Sequence, residues 1–186
     1  MKQEFSTRTA ALDDALGAGR CFDMTARDLT IGGRRARLWV VNGYAQESIL
    51  ERMIAQWLAA PDLTDMKTPD AFLRSFVTAC DAAVCLKREE AVLGVFSGKT
   101  LLVVDGWDGG ILMDVKQFPT RSIEEPDTSR VLRGSHDGFV ENLMQNAALL
   151  RRRIRDTRLT LERVQLDNRS HTDVVLCYME GEADPG

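Results

Sequence analysis

The residue types that could carry chemistry are concentrated between Phe118 and Arg153. The first part of this stretch, up to Phe139, is poor in apolar residues and rich in charge of both signs. Besides Arg121, its charged residues are Glu124, Glu125, Asp127, Arg130, Arg133 and Asp137. Guanidinium groups bind carboxylates bidentately, in a fixed geometry. The segment therefore predicts an ion-pair network that couples elements or chains, rather than a catalytic pocket.

A run of three arginines, Arg151, Arg152 and Arg153, follows at the end of a predicted helix. In one interpretation they complement the partial negative charge of the helix C-terminus, at about 0.3–1 kcal/mol each, and pair within the chain. In the other they receive the upstream carboxylates of the same chain or of a neighbouring one. Three successive helical residues fan over about 200°. They cannot all face one partner, so some of them should be available for an intermolecular contact, and both interpretations stay open.

Asp173 begins the last predicted strand, before the apolar run Val174-Val175-Leu176. Two roles are open for it: a turn contact within its hairpin, or an ion pair with one of the arginines.

The sequence gives little support to catalysis. His136 lies beside Ser135, but a triad also needs an orienting acid and a defined geometry. Glu124 and Glu125 are adjacent, so in an extended chain they point in opposite directions. The G-x-S-x-G, P-loop and G-x-G-x-x-G motifs do not occur. We therefore predict no catalytic residues and no enzyme activity.

Composition excludes several other classes. The four cysteines are scattered without metal-ligand spacing, which predicts neither a metal site nor a cofactor. Cys85 and Cys177 lie in apolar runs and are expected to be small buried hydrophobes. A net charge of -4 argues against nucleic acid as a partner. Apolar runs are far shorter than the roughly 20 residues that a membrane span needs.

Periodicity and turn residues predict helices alternating with hairpins. Ser6 or Thr7 is expected to cap a first helix, Thr68 with Pro69 a third, and Asp137 or Ser135 a last one. Trp107, in a Gly-rich turn, is expected at a sheet edge, where an exposed ring would offer a docking surface. The predicted helices cover residues 6–16, 45–59, 69–80, 88–96 and 139–153, and the predicted strands 22–31, 34–41, 82–86, 99–105, 110–115, 160–166 and 172–179.

The choice of cation changes along the chain. All five lysines precede residue 118, and only arginine is used after it. We therefore predict two small lobes, residues 1–117 and 118–186, with a boundary near Gln117–Pro119. The predicted fold class is mixed α/β, in which each lobe is a mixed or antiparallel sheet packed with helices.

The segment from Asp114 to Met179 resembles the GerA family of spore germination proteins, which includes receptor A subunits and a stage V sporulation relative. The sequence of residues 124–128 resembles that of the stage V relative more than that of a receptor A subunit. The residues that carry the resemblance are Phe118-Pro119-x-Arg121, Glu124-Glu125-Pro126-Asp127, Arg130-Val131-x-Arg133-Gly134, Asp137-Gly138-Phe139, Asn146-x-x-Leu149, Arg151 to Asp156, and Thr172 to Val175.

The resemblance implies the cytoplasmic N-terminal domain of a spore inner-membrane protein, cut before its membrane region. It implies a homo-oligomer with other subunits of a germination complex as partners, and a role in nutrient sensing and ion release. The charged segment and the arginine run would then act as a joint between lobes or subunits. Two rivals stay open: a small-molecule or anion-binding module that uses the arginines as a clamp, and an enzyme that uses His136.

Overall fold

The computed structural model describes residues 4–60, 62–63, 66–117, 138–166 and 172–182. These ranges contain five helices and seven strands. The helices are α1 (Phe5–Leu16), α2 (Glu47–Leu58), α3 (Pro69–Phe76), α4 (Arg88–Phe96) and α5 (Leu143–Arg153), and the strands are β1 (Met24–Ile31), β2 (Arg34–Val41), β3 (Asp81–Cys85), β4 (Thr100–Val104), β5 (Gly110–Asp114), β6 (Leu159–Gln165) and β7 (Asp173–Met179).

The first five strands form one antiparallel sheet in the order β1-β2-β4-β5-β3, and β6 pairs with β7 in a separate two-stranded sheet. The predicted mixed α/β class with antiparallel sheets is confirmed. The β1–β2 turn falls on Gly32 and Gly33, whose φ angles of 50° and 77° are the positive values that a two-residue hairpin of this type requires. The division into two lobes near Gln117–Pro119 stays a prediction.

Helices cover both faces of the five-stranded sheet. On one face, α2 and α3 contribute Trp57 and Phe72, which pack with Trp107 around the apolar side chains of β2, β4 and β5. On the other face, α1 and α4 pack against Trp39 and its neighbours, and Ala148 of α5 joins the same cluster. The second half of β2, residues 38–41, is buried on both faces of the sheet.

Trp107 is buried, with 3% of its surface exposed, and its indole N–H donates to the Met66 carbonyl at 2.9 Å. Its ring centroid lies 5.1 Å from that of Phe72. The turn therefore offers no exposed aromatic docking surface, because Phe72 and the 66–67 segment cover the ring.

Two predicted helix caps are wrong and one is confirmed. Thr68 accepts a hydrogen bond from the Ala71 N–H, with Pro69 in the first turn, as predicted. The first helix begins at Phe5 after Glu4, so neither Ser6 nor Thr7 caps it. The last helix begins at Leu143, because the Asn142 side chain accepts the Gln145 N–H at 3.0 Å.

Cys85 is buried as predicted, whereas Cys177 is exposed. Within the described residues β7 pairs with β6 alone, so its side chains have fewer neighbours than those of the five-stranded sheet. None of the helices in the described ranges has the length and apolar character needed to cross a bilayer.

Candidate functional site

A buried ion pair joins α5 to the start of β1. The Arg151 Nε and Nη2 atoms donate to the two carboxylate oxygens of Asp23, each at 2.9 Å, and Nη1 donates to the Leu159 carbonyl at 2.9 Å. Both charged side chains have 0% of their surface exposed. The guanidinium thus meets a carboxylate fork on one edge and the first residue of β6 on another. We call Asp23, Arg151 and the Leu159 carbonyl the joint.

The backbone around Asp23 ties the five-stranded sheet to the β6–β7 hairpin. The Asp23 carbonyl accepts from the Asn42 N–H at 2.7 Å, which closes the end of the β1–β2 ladder. The preceding residue, Phe22, donates its N–H to the Leu161 carbonyl at 3.0 Å. Asp23 therefore lies at the contact between the five-stranded sheet and the β6–β7 hairpin.

Small residues allow α5 to approach this point closely. Gly43 lies in the turn after β2 with a φ of 80°, and a Cβ built there would be 3.5 Å from the Ala148 Cβ. The Tyr44 hydroxyl donates to the Ala148 carbonyl at 3.0 Å. The buried face of the helix consists of Ala147, Ala148 and Arg151. Two alanines therefore bring the helix backbone near the sheet, and the arginine one turn later reaches Asp23.

Electrostatics keep the joint charged. Burial acts to lower the pKa of Arg151, but the hydrogen bonds and charge of Asp23 outweigh it, and the net pKa is raised. The Arg151 guanidinium carbon also lies 5.2 Å from the centroid of the Phe96 ring, in cation–π contact. Burial raises the pKa of the neighbouring Tyr44 to about 12, against the opposing charge of Arg151. Removing either partner would leave an unpaired buried charge, which costs about 3–5 kcal/mol.

Exposed ion pairs surround the joint at the same end of the hairpin. Arg20 pairs with Glu180 at 2.7 Å, and Arg158 pairs with Asp156 at 2.8 Å and Glu182 at 2.7 Å. Hydrogen bonds from Arg158 lower the pKa of Asp156. Exposed ion pairs contribute little to the free energy of unfolding. The buried pair of Asp23 and Arg151 therefore dominates the electrostatics where the hairpin meets the rest of the domain.

The predicted site residues divide into three groups. Arg151 is buried in the joint, whereas Arg152 and Arg153 are exposed on α5. Asp173 is exposed at the start of β7, opposite Gln165. The residues that lie outside the described ranges are Glu124, Glu125, Asp127, Arg130, Arg133 and Asp137, together with His136 and His171.

The sequence did not identify Asp23 as the partner of Arg151. The two residues are 128 positions apart. The one local indication is a carboxylate within the otherwise apolar run Cys21-Phe22-Asp23-Met24, where a buried acid needs a cation. Among the residues that the structure describes, no group of three or more histidine, cysteine or acidic side chains could hold a metal ion. The joint is chemically suited to locking two elements together.

The fold is that of a known receptor domain. The chain matches the crystal structure of the N-terminal domain of the A subunit of the Bacillus megaterium spore germinant receptor GerK3, with a TM-score of 0.73 and 21% sequence identity. The match covers 100% of this chain and 68% of that one.

The sequence comparisons define the family. The family model for the Bacillus/Clostridium GerA spore germination protein matches residues 10–186 of this chain, and the chain belongs to this family. Stage V sporulation protein AF of Bacillus subtilis (strain 168) is 34% identical over 173 residues, which are 91% of this chain and 35% of that protein. Spore germination protein B1 of the same organism is 30% identical over 147 residues, 79% of this chain and 30% of that protein. The chain thus spans about a third of the length of these curated relatives.

Proposed function

We propose that this chain is the cytoplasmic N-terminal domain of a spore inner-membrane germination protein, and that it takes part in assembly and passes conformational change to a membrane channel or ion-release component. Membership of the GerA family and the fold of a germinant receptor A-subunit domain support this proposal. The observation that carries it is the joint, because that contact connects one part of the domain rigidly to another.

The geometry of the joint favours two discrete arrangements over gradual sliding. Arg151 makes three hydrogen bonds at 2.9 Å, all of them buried. A shift of α5 by even a small distance would leave the Asp23 carboxylate desolvated without its partner. Packed contacts of this kind respond to a bias by switching between arrangements, so a change at a subunit contact is transmitted across the domain.

The proposal also assigns a role to the residues that the sequence predicts for coupling. Arg152 and Arg153 lie on the exposed side of the helix whose buried side carries Arg151. We propose that Arg152 and Arg153, and independently the charged residues from Glu124 to Asp137, contribute to contacts of the domain with other subunits, including copies of itself. A contact on the outer side of α5 then acts directly on the joint. No catalytic step is part of this function.

The rival arginine clamp for an anion gains no support from Arg151. Its guanidinium is committed to Asp23 and to the Leu159 carbonyl, and a free ligand would have to displace both.

Spore germination tests the proposal. Charge reversal at Arg152 or at Glu125 in the whole protein is expected to slow germination or to reduce assembly, measured as the germination rate and as recovery of the protein complex from spore membranes. Arg35→Glu is the matched control, since Arg35 is 62% exposed and pairs with Asp105 rather than with a residue of α5. Normal germination and normal assembly in both reversal mutants would refute the proposal.

A further inference from the structure

A second feature of the domain lies away from the joint. A cavity of about 250 Å³ opens between α1, the loop before α4, and the β4–β5 turn. Its walls are mainly apolar, formed by Ala11, Leu12, Ala91, Leu101 and Val103. Three cations line the same cavity: Arg8, Lys87 and Arg88. Cavities for drug-sized ligands usually measure about 300–1,000 Å³, so this one suits a smaller molecule.

Arg8 is partly buried, and its partners differ from those of Arg151 and Arg37. Arg151 binds Asp23, and Arg37 binds Asp13 and Asp28. Arg8 instead donates to two backbone carbonyls, those of Trp107 at 2.7 Å and Gly109 at 2.6 Å. Within the described ranges no carboxylate lies within ion-pair distance of its guanidinium.

The two carbonyl contacts fix the position of the Arg8 guanidinium without neutralising it. A guanidinium has five N–H donors, so several remain for another acceptor. Burial lowers the pKa of Arg8, while the charges of Asp108 and Asp105 oppose this from a distance. A desolvated cation at the edge of an apolar cavity is stabilised by an anion that completes its hydrogen bonds.

The thiol in the wall does not act as a nucleophile. Burial and the nearby Glu90 raise the pKa of Cys85, so the thiol stays protonated. It donates to the Lys87 carbonyl at 3.2 Å. The cavity therefore combines an apolar interior with the cations of Arg8 and Lys87 at its edge, and its chemistry is that of binding.

We propose that this cavity binds a small monocarboxylate with an apolar body, with the carboxylate on Arg8 and the body between Leu12 and Leu101. Lys87 at the rim favours the anion over a neutral molecule by its charge, whereas Arg88 is paired with Glu89 at 3.8 Å. This site is independent of the joint and of the proposed function, and its ligand class is set by one fixed cation and the volume behind it.

Titration of the 186-residue chain with 4-methylpentanoate, followed by amide chemical shifts, tests the proposal. The amides of Ala91, Gly109 and Gly110 are expected to shift in a saturable way. The neutral isostere 4-methylpentanamide and the short anion acetate are each expected to bind at least about tenfold more weakly, because one lacks the charge and the other the apolar body.

Two variants locate the site. Arg8→Gln is expected to weaken binding of 4-methylpentanoate about tenfold or more, and Ala11→Leu to abolish it by filling the cavity while leaving Arg8 in place. Arg52→Gln, on the exposed side of α2, is the control and is expected to bind like the parent chain. If Arg8→Gln does not fold, the comparison of acid with amide and the Ala11→Leu variant still decide. Equal binding of acid and amide, or unchanged binding in Ala11→Leu, would overturn the proposal.

Discussion

Arg151 is stable in the interior because its bonding is nearly complete. Desolvating a charge costs several kcal/mol, and that cost is offset only where the geometry is good and the remaining donors are satisfied. Here the carboxylate fork takes two donors and a strand carbonyl takes a third. Arg8 is only partly buried, and it donates to two backbone carbonyls instead of forming an ion pair of this kind.

Tyr44 gives the joint a measurable pH dependence. Its folded-state pKa is about 12, raised by burial from an ordinary value of 10.0. Its contribution to stability is therefore complete below about pH 10 and is lost as pH rises towards 12, because the unfolded chain releases the proton first. We expect the ultraviolet absorbance of phenolate to show a step near pH 12.

Tyr44→Phe should remove that step and leave the titration of the second tyrosine, Tyr178, in place. A late step that persists in Tyr44→Phe would contradict the assignment.

The sequence predicted that the three arginines of α5 would not share one environment, but it did not identify Asp23 as the partner of Arg151. Three successive arginines on a helix cannot share one environment, and indeed Arg151 is buried while Arg152 and Arg153 are exposed. The spacing of apolar residues predicts a face for this helix formed by Phe139, Leu143, Ala147, Leu150 and Ile154. Of these only Ala147 is buried, and it shares the buried side of α5 with Ala148 and Arg151, because close approach of two backbones favours small residues.

Among the elements, the β1–β2 hairpin shows how a turn is fixed by both conformation and space. A Cβ at Gly32 would lie 2.7 Å from the Cγ and from the backbone nitrogen of Leu63, whereas a Cβ at Gly33 would meet nothing within 4 Å. Both residues have a positive φ.

Alanine substitution at the two glycines separates these effects. Gly33→Ala is expected to lower the free energy of unfolding by about 1–2 kcal/mol, from backbone strain alone. Gly32→Ala should cost clearly more, because the backbone at Leu63 must also move. Urea denaturation of the two variants measures the difference, and equal losses would show that the contact with Leu63 is unimportant.

Elements whose determinants are local were predictable, and those with competing local options were not. The Thr68 cap was identified from sequence, and so was the turn between the predicted strands 22–31 and 34–41. The start of α5 was not, because two asparagines compete with the upstream candidates: Asn142 caps the helix, and the Asn146 side chain binds the Val140 N–H at 2.8 Å and its carbonyl at 2.6 Å. Sequence pattern alone does not rank such caps.

At the scale of the whole molecule, few contacts hold the two sheets together. Among these contacts, the joint is the one whose disruption costs the most free energy. All three tryptophans belong to the part with the five-stranded sheet, while β6 and β7 carry none. Tryptophan fluorescence therefore reports unfolding of the first sheet, and hydrogen exchange of β6–β7 amides reports the second.

Arg151→Met is expected to lower the free energy of unfolding by about 3–5 kcal/mol, since it leaves Asp23 buried and unpaired. It should also let β6–β7 amides exchange at a lower urea concentration than that at which the fluorescence changes, whereas both probes should coincide in the parent chain. Arg35→Gln, at an exposed pair, should change the free energy by no more than about 1 kcal/mol. Coincident probes in Arg151→Met would mean that the joint does not couple the sheets.

Sequence identified the class of fold and the hairpins, because periodicity and turn residues are read within ten positions. The joint brings together residues 128 positions apart, and a pairing at that distance leaves no local pattern.

The Asp23–Arg151 pair also restricts how this protein can evolve. A domain is typically stable by about 5–15 kcal/mol, and loss of either partner alone would remove a large share of that margin. A lineage that changes one position must therefore change the other almost at the same time, or carry stabilising substitutions elsewhere beforehand. Substitutions at positions 23 and 151 are thus expected to be correlated among related sequences, so that the two positions change together or not at all.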